Sequence, residues 1–160
     1  MNRKVARATL VAVFVVTLVL GIVPAAQAGA HKCSLATVAG TSGFTTTGSI
    51  PGIGPVAAVG LLTIDKSGNI SGSQTRSLNG DIADETIAGT ATVNPDCTGT
   101  FVAHVFQSGV LVRTSTLNVV WDDDGRSARA IFTSVVLADG TKLLSILTAD
   151  ARRLFVGHED

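Results

Sequence analysis

The sequence predicts an all-β fold, an antiparallel up-and-down meander of eight strands closed into a barrel. Runs of alternating apolar and polar residues recur along the chain, the pattern of strands with one buried face. Short turn signals separate those runs at regular spacing. Composition agrees: seventeen glycines with many Thr, Ser, Val and Ala, against few Glu and Lys, suit short strands and tight turns rather than amphipathic helices. Strands joined by short turns do not form a Greek key, which needs a long connection, so neighbours in sequence become neighbours in the sheet. Closure removes the two edges an open sheet would expose. A sandwich is the competing architecture.

Residues 1–28 read as a secretory signal peptide: Arg3, Lys4 and Arg7 first, an apolar run over 8–23, then Pro24 and the small-residue site Ala26-Gln27-Ala28. Cleavage is expected after Ala28. An uncleaved anchor is the alternative, since the run approaches the ~20 residues a bilayer needs, but Pro24 and the small residues favour cleavage. Ala30-His31-Lys32 before Cys33 rules out a lipobox. The expected product is soluble, secreted or periplasmic, with no stable membrane insertion. It has one domain over 29–153 and a charged, frayed tail over 154–160.

Residues 29–40 are expected to cover one end of the domain, with a short helical or irregular turn around 34–38. The first strand is placed at 42–50, and Pro51-Gly52-Ile53-Gly54-Pro55 separates it from the second at 56–64. Asp65-Lys66-Ser67-Gly68-Asn69 turns into the third, 70–78. Asn79-Gly80 is the strongest two-residue hairpin signal and leads into the fourth, 82–93. Asn94-Pro95-Asp96 turns that strand into the fifth, 100–106; Pro95 fits because its missing N–H would break a ladder. Ser108-Gly109 introduces the sixth at 110–121, Asp122-Asp123-Asp124-Gly125 the seventh at 127–137, and Asp139-Gly140 the eighth, 142–148 or somewhat beyond.

Export changes how the cysteines read, because an oxidising compartment lets thiols pair. The chain has two cysteines, so Cys33–Cys97 is the intramolecular bridge available. It would close a loop of about 64 residues, worth about 4 kcal/mol on the chain-entropy model. Residues 33–40 otherwise look too polar to stay docked alone. The two cysteines and His31, His104 and His158 show no recognised metal spacing.

The segments Gly43-Phe44-Thr45-Thr46-Thr47-Gly48, DKSGNISG from Asp65, Asn79-Gly80 and GTATVNPDCTGT from Gly89 resemble a group of small secreted bacterial proteins of unknown function. The repeated hairpins are similar in architecture to the calycin barrels of lipocalins and avidin, and to the barrel of allene oxide cyclase and dirigent proteins. The lipocalin Gly-x-Trp signature is absent, because Phe44-Thr45 follow Gly43 and the sole tryptophan is Trp121. The resemblance therefore implies a calycin-like barrel and transfers no functional residue.

A barrel of about eight strands either fills its interior or holds one small ligand, and strand parity decides which residues matter. In the third strand Ile70, Gly72, Gln74, Arg76 and Leu78 share one face. If that face points inward, Arg76 is in the lumen and needs a partner: Glu85 across the Asn79-Gly80 hairpin, or a ligand carboxylate. A structural pair or a rim arginine is the plainer alternative. His104 shares a face with Val102 and Phe106, as a satisfied core or lumen histidine; no nucleophile or orienting acid is spaced to make it catalytic. Trp121, in phase with Leu117 and Val119, would floor a ligand cavity or simply serve the core. Asp122–Asp124 and Asp65–Asn69 invite a calcium reading, but neither has the loop's distal Glu, and turn chemistry accounts for both. Arg126, Arg129, Arg152 and Arg153 make at most a small basic patch.

Basic and acidic residues balance at twelve each, which offers no field for nucleic acid. No cofactor is indicated. The leading expectation is a non-enzymatic secreted barrel that binds a small, mostly apolar ligand in a lumen of Gly, Ala and Val. Aromatics are 4% of the chain, so large fillers are few. The alternatives are an isomerase or cyclase of the allene oxide cyclase type, working through Gln74, Arg76 or His104, and a surface interaction module with a filled lumen.

Overall fold

A computed structural model describes residues 32–154. The predicted leader, His31, His158 and the tail beyond Leu154 lie outside the described residues. The chain runs through a short helix α1 (Leu35–Val38) and then β1 (Gly40–Ile50), β2 (Gly54–Ile64), β3 (Asn69–Leu78), β4 (Asp81–Val93), β5 (Thr98–Gln107), β6 (Val110–Asp122), β7 (Ser127–Leu137), β8 (Lys142–Leu143) and β9 (Ile146–Arg153). Each of β1 to β7 pairs antiparallel with the next, and β9 pairs with both β7 and β1. The result is a closed eight-stranded barrel with β8 as a two-residue appendage on β7. Closure excludes the sandwich.

The predicted eighth strand is divided. Leu143 pairs with Val135 and Thr148 with Ile131, so the last strand advances five residues while β7 advances four. That one extra residue is a bulge, and it throws out Leu144, which is 78% exposed.

The turns form as their residues dictate. Asn79 and Gly80 take φ of 50° and 91°, and Ser108 and Gly109 take 51° and 80°, the paired left-handed conformations of tight hairpins. In the β4–β5 turn the Cys97 N–H donates to the Asn94 carbonyl at 3.0 Å, with Pro95 preset at the first central position. In the β2–β3 turn Asp65 Oδ1 accepts from the N–H groups of Ser67 and Asn69 at 2.8 Å each. The Asn69 side chain first, then these amides, lowers the Asp65 pKa. Asp65 thus serves its own backbone.

Curvature comes from a diagonal of inward glycines. Gly60 pairs with Gln74, Gly72 with Leu62 and Ile87, and Gly89 with Ile70 and Ala103, so the three step across β2, β3 and β4. A Cβ on Gly72 would run into the Leu61 carbonyl oxygen, so the missing side chain is what lets these strands coil.

One end of the barrel carries the β2–β3, β4–β5 and β6–β7 turns and is plugged by α1. Ser34 caps the helix through a capping box with Thr37. Val38, 4% exposed, belongs to a buried cluster with Leu117, Val119 and Trp121, while Leu35 packs against the edge of a second cluster formed by Ile64, Ile70, Ile87, Ala91 and Val105. Arg153 Nη2 donates to the carbonyls of Thr37 at 3.0 Å and Ala39 at 2.6 Å, satisfying the helix C-terminus from β9. The Cys33–Cys97 disulfide is present, with Cα atoms 4.9 Å apart. The expectation that residues 33–40 depend on the disulfide alone is corrected: two apolar side chains and an arginine also hold them.

Candidate functional site

Inside the barrel is a cavity of about 270 Å³. Most of its wall is apolar. Alanines at 58, 103, 128, 130, 149 and 151 leave the space, and Phe44, Phe101 and Phe132 bound it. The lumen is therefore not lined by Gly, Ala and Val alone, as composition suggested; three of the six phenylalanines face it beside Leu and Ile.

Its charged lining residues, among those described, are Arg76, Glu85 and Arg113. Arg76 lies two residues before the end of β3, Glu85 four into β4 and Arg113 three into β6, so all sit toward the end opposite α1. Glu85 is the hub, with its side chain 1% exposed. Arg113 Nη1 donates to Oε1 and Nη2 to Oε2, each at 2.7 Å. Arg76 Nε donates to Oε1 at 2.9 Å and Gln74 Nε2 to Oε2 at 2.6 Å. Burial pushes the Glu85 carboxyl pKa up more strongly than any other single effect. Hydrogen bonds and charge from Arg113, with hydrogen bonds from Gln74 and Arg76, together outweigh that burial and hold it at about 2. Glu85 is ionised at neutral pH, and two guanidiniums share its one negative charge.

Two of the lining residues each carry a polar atom that is buried without a hydrogen-bond partner among the described residues: Arg76 Nη1 and Ser115 Oγ. Ser115 is 2% exposed and lies two residues beyond Arg113 on the same face of β6.

Of the residues singled out from sequence, the structure brings Gln74 and Arg76 together in the lumen, with Glu85 as the partner named for Arg76. His104 is elsewhere. Phe101, Ala103 and Val105 face inward, which turns His104 out to solvent, where its Nδ1 lies 3.0 Å from Thr114 Oγ1. Trp121 is also outside the cavity lining. It is 5% exposed at the plugged end, edge-to-face with Phe101 at 5.7 Å, so it supports a wall residue. Arg113 and Ser115 were missed. Counting back from Trp121 through Val119 and Leu117 puts both on the inward face, so parity alone could have found them.

No family model matches this chain, and no curated protein matches it. Among solved structures the chain is similar to the S-type phycobiliprotein lyase CPES from Guillardia theta, at 11% identity and a TM-score of 0.45, over 77% of this chain and 92% of that one. A likeness at that level lends no functional residue.

Proposed function

We propose that this protein is an exported, calycin-like barrel that binds a small, mostly apolar molecule without transforming it. The observation that supports the reading is the lumen itself: a cavity just below the roughly 300–1,000 Å³ of ordinary small-molecule sites, apolar in its wall and polar at one cluster. A module that only presented its surface would fill that space. Buried ion pairs rarely improve stability over apolar packing, so a charged hub inside a greasy lumen fits recognition better than architecture. The end opposite α1 exposes Ile53, Val110 and Leu144 at 44%, 66% and 78% beside the polar turn residues Asp81, Asp139 and Lys142, and those apolar side chains suit entry of an apolar ligand. A signal peptide cleaved after Ala28 and the Cys33–Cys97 bridge fit an oxidising compartment.

Thermal-shift screening against lipids, pigments and aromatic acids tests the binding reading: stabilisation by one class is expected, and none by any class would overturn it. Mass analysis of exported material tests the address, with a mature chain that starts at Gly29 expected.

A further inference from the structure

The lumen carries more positive than negative charge. Both Glu85 oxygens are occupied: Arg113 bonds each, Arg76 bonds Oε1 and Gln74 bonds Oε2. The second carboxylate near Arg76 is Asp81, 3.7 Å from Nη2 and 80% exposed at the rim, where water and salt weaken its hold. One guanidinium's worth of charge in this largely apolar enclosure is thus answered by that screened rim carboxylate rather than by a buried partner. In the same lining Arg76 Nη1, a donor, and Ser115 Oγ, a donor or acceptor, have no protein partner although both are buried. A buried donor left unbonded is costly, and more so when charged, unless something else meets it.

We propose that the lumen recognises the ionised carboxylate of a small apolar acid, with Arg76 and Ser115 making to it the hydrogen bonds they do not make within the protein. This rests on the reading that the cavity binds a ligand. A carboxylate answers both observations at once. It returns the lumen to neutrality, and it accepts from a guanidinium and a hydroxyl together. A cation would meet two guanidiniums and a neutral molecule would leave the excess charge in place. A cavity of about 270 Å³, just below the roughly 300–1,000 Å³ of sites that hold drug-sized ligands, takes a smaller molecule. An acid of on the order of ten non-hydrogen atoms fits, a medium-chain or aromatic acid rather than a long lipid.

Calorimetric titration of the purified protein with octanoate, 1-octanol and octylammonium at pH 7 tests this. Octanoate is expected to bind about ten-fold more tightly than octanol, and octylammonium most weakly. Arg76→Gln should abolish the preference for octanoate, and Ser115→Ala, which removes only an unbonded hydroxyl and so leaves folding intact, should reduce it several-fold. Octanol affinity should fall by a smaller factor than octanoate affinity in both. Equal binding of octanoate and octanol by the unaltered protein would overturn the carboxylate assignment and leave the apolar-ligand reading standing. Binding of neither would overturn both. A preference for octanoate undiminished in Ser115→Ala and in Arg76→Gln would also overturn it.

Discussion

Arg113 grips Glu85 with both arms of its guanidinium, 2.7 Å to each carboxylate oxygen, although the two residues stand on β6 and β4 with β5 between them. The contact spans the lumen side of three strands. Arg113→Met removes both of these charge-assisted hydrogen bonds, each worth about 1.5–3 kcal/mol, so it should destabilise by about 3–6 kcal/mol in urea unfolding. Arg76 and Gln74 still hold Glu85 in that variant, which places the effect at the lower end. A loss under about 1 kcal/mol would show that those two residues suffice.

The same hub sets an acid limit. Glu85 has a folded pKa of about 2 against 4.5 for an ordinary glutamate, so between those values the unfolded chain binds more protons than the native one. Its contribution is fully present above about pH 4.5 and is lost as pH falls through about 2. At ~1.4 kcal/mol per unit the total is about 3 kcal/mol. Stability measured by denaturant from pH 6 to 2 should fall by that amount, and the slope should flatten in Glu85→Gln. An equal slope in the variant would place the loss on other carboxylates.

The barrel was legible because its local signals agree. Asn79-Gly80, Ser108-Gly109 and Asp139-Gly140 mark turns by chemistry that tolerates few other conformations, and alternation in β3 marked its extent, while which of its two faces is buried came from the structure. Parity failed at β5, where Val102, His104 and Phe106 on one face look as apolar as Phe101, Ala103 and Val105 on the other. Only the pairing with β4 and β6 decides between them. Arg113 was hidden for another reason: its partner is 28 residues away on a strand it does not pair with. The break before β9 had no signal, because Leu144-Ser145 reads as a continuation of the strand.

Gly72 should tolerate no side chain. A Cβ there meets the Leu61 carbonyl, which belongs to the β2–β3 ladder and cannot move without losing strand pairing. Gly72→Ala is expected to cost about 1–3 kcal/mol by thermal or urea unfolding, even though alanine suits strand dihedrals no worse than glycine. An unchanged midpoint would mean that β2 and β3 can separate locally without loss.

Reduction of Cys33–Cys97 should lower stability by about 2–4 kcal/mol, since the bridge closes a loop across 64 residues of the unfolded chain. The reduced protein should nevertheless stay folded. Val38 remains buried in the cluster with Trp121, and Arg153 still binds the carbonyls at the end of α1. Urea curves with and without reductant, followed by Trp121 fluorescence, read both points. Complete unfolding on reduction would show that the plug has no hold of its own.

Filling the lumen separates a binding cavity from loose packing. Ala130 faces inward on β7 between Val119 and Ala149, and all three line the cavity. In a filled core an added leucine side chain forces neighbours off their rotamers and costs about 1–3 kcal/mol. In an open cavity the same atoms gain contacts and leave water, so Ala130→Leu should hold stability within about 1 kcal/mol or raise it. The variant should also lose octanoate, because the space that the added carbons take is the space the ligand's apolar body needs. The two readouts move in opposite directions only if the cavity is the binding site: stability kept with binding lost. A destabilised Ala130→Leu that still binds octanoate would place the ligand outside the barrel.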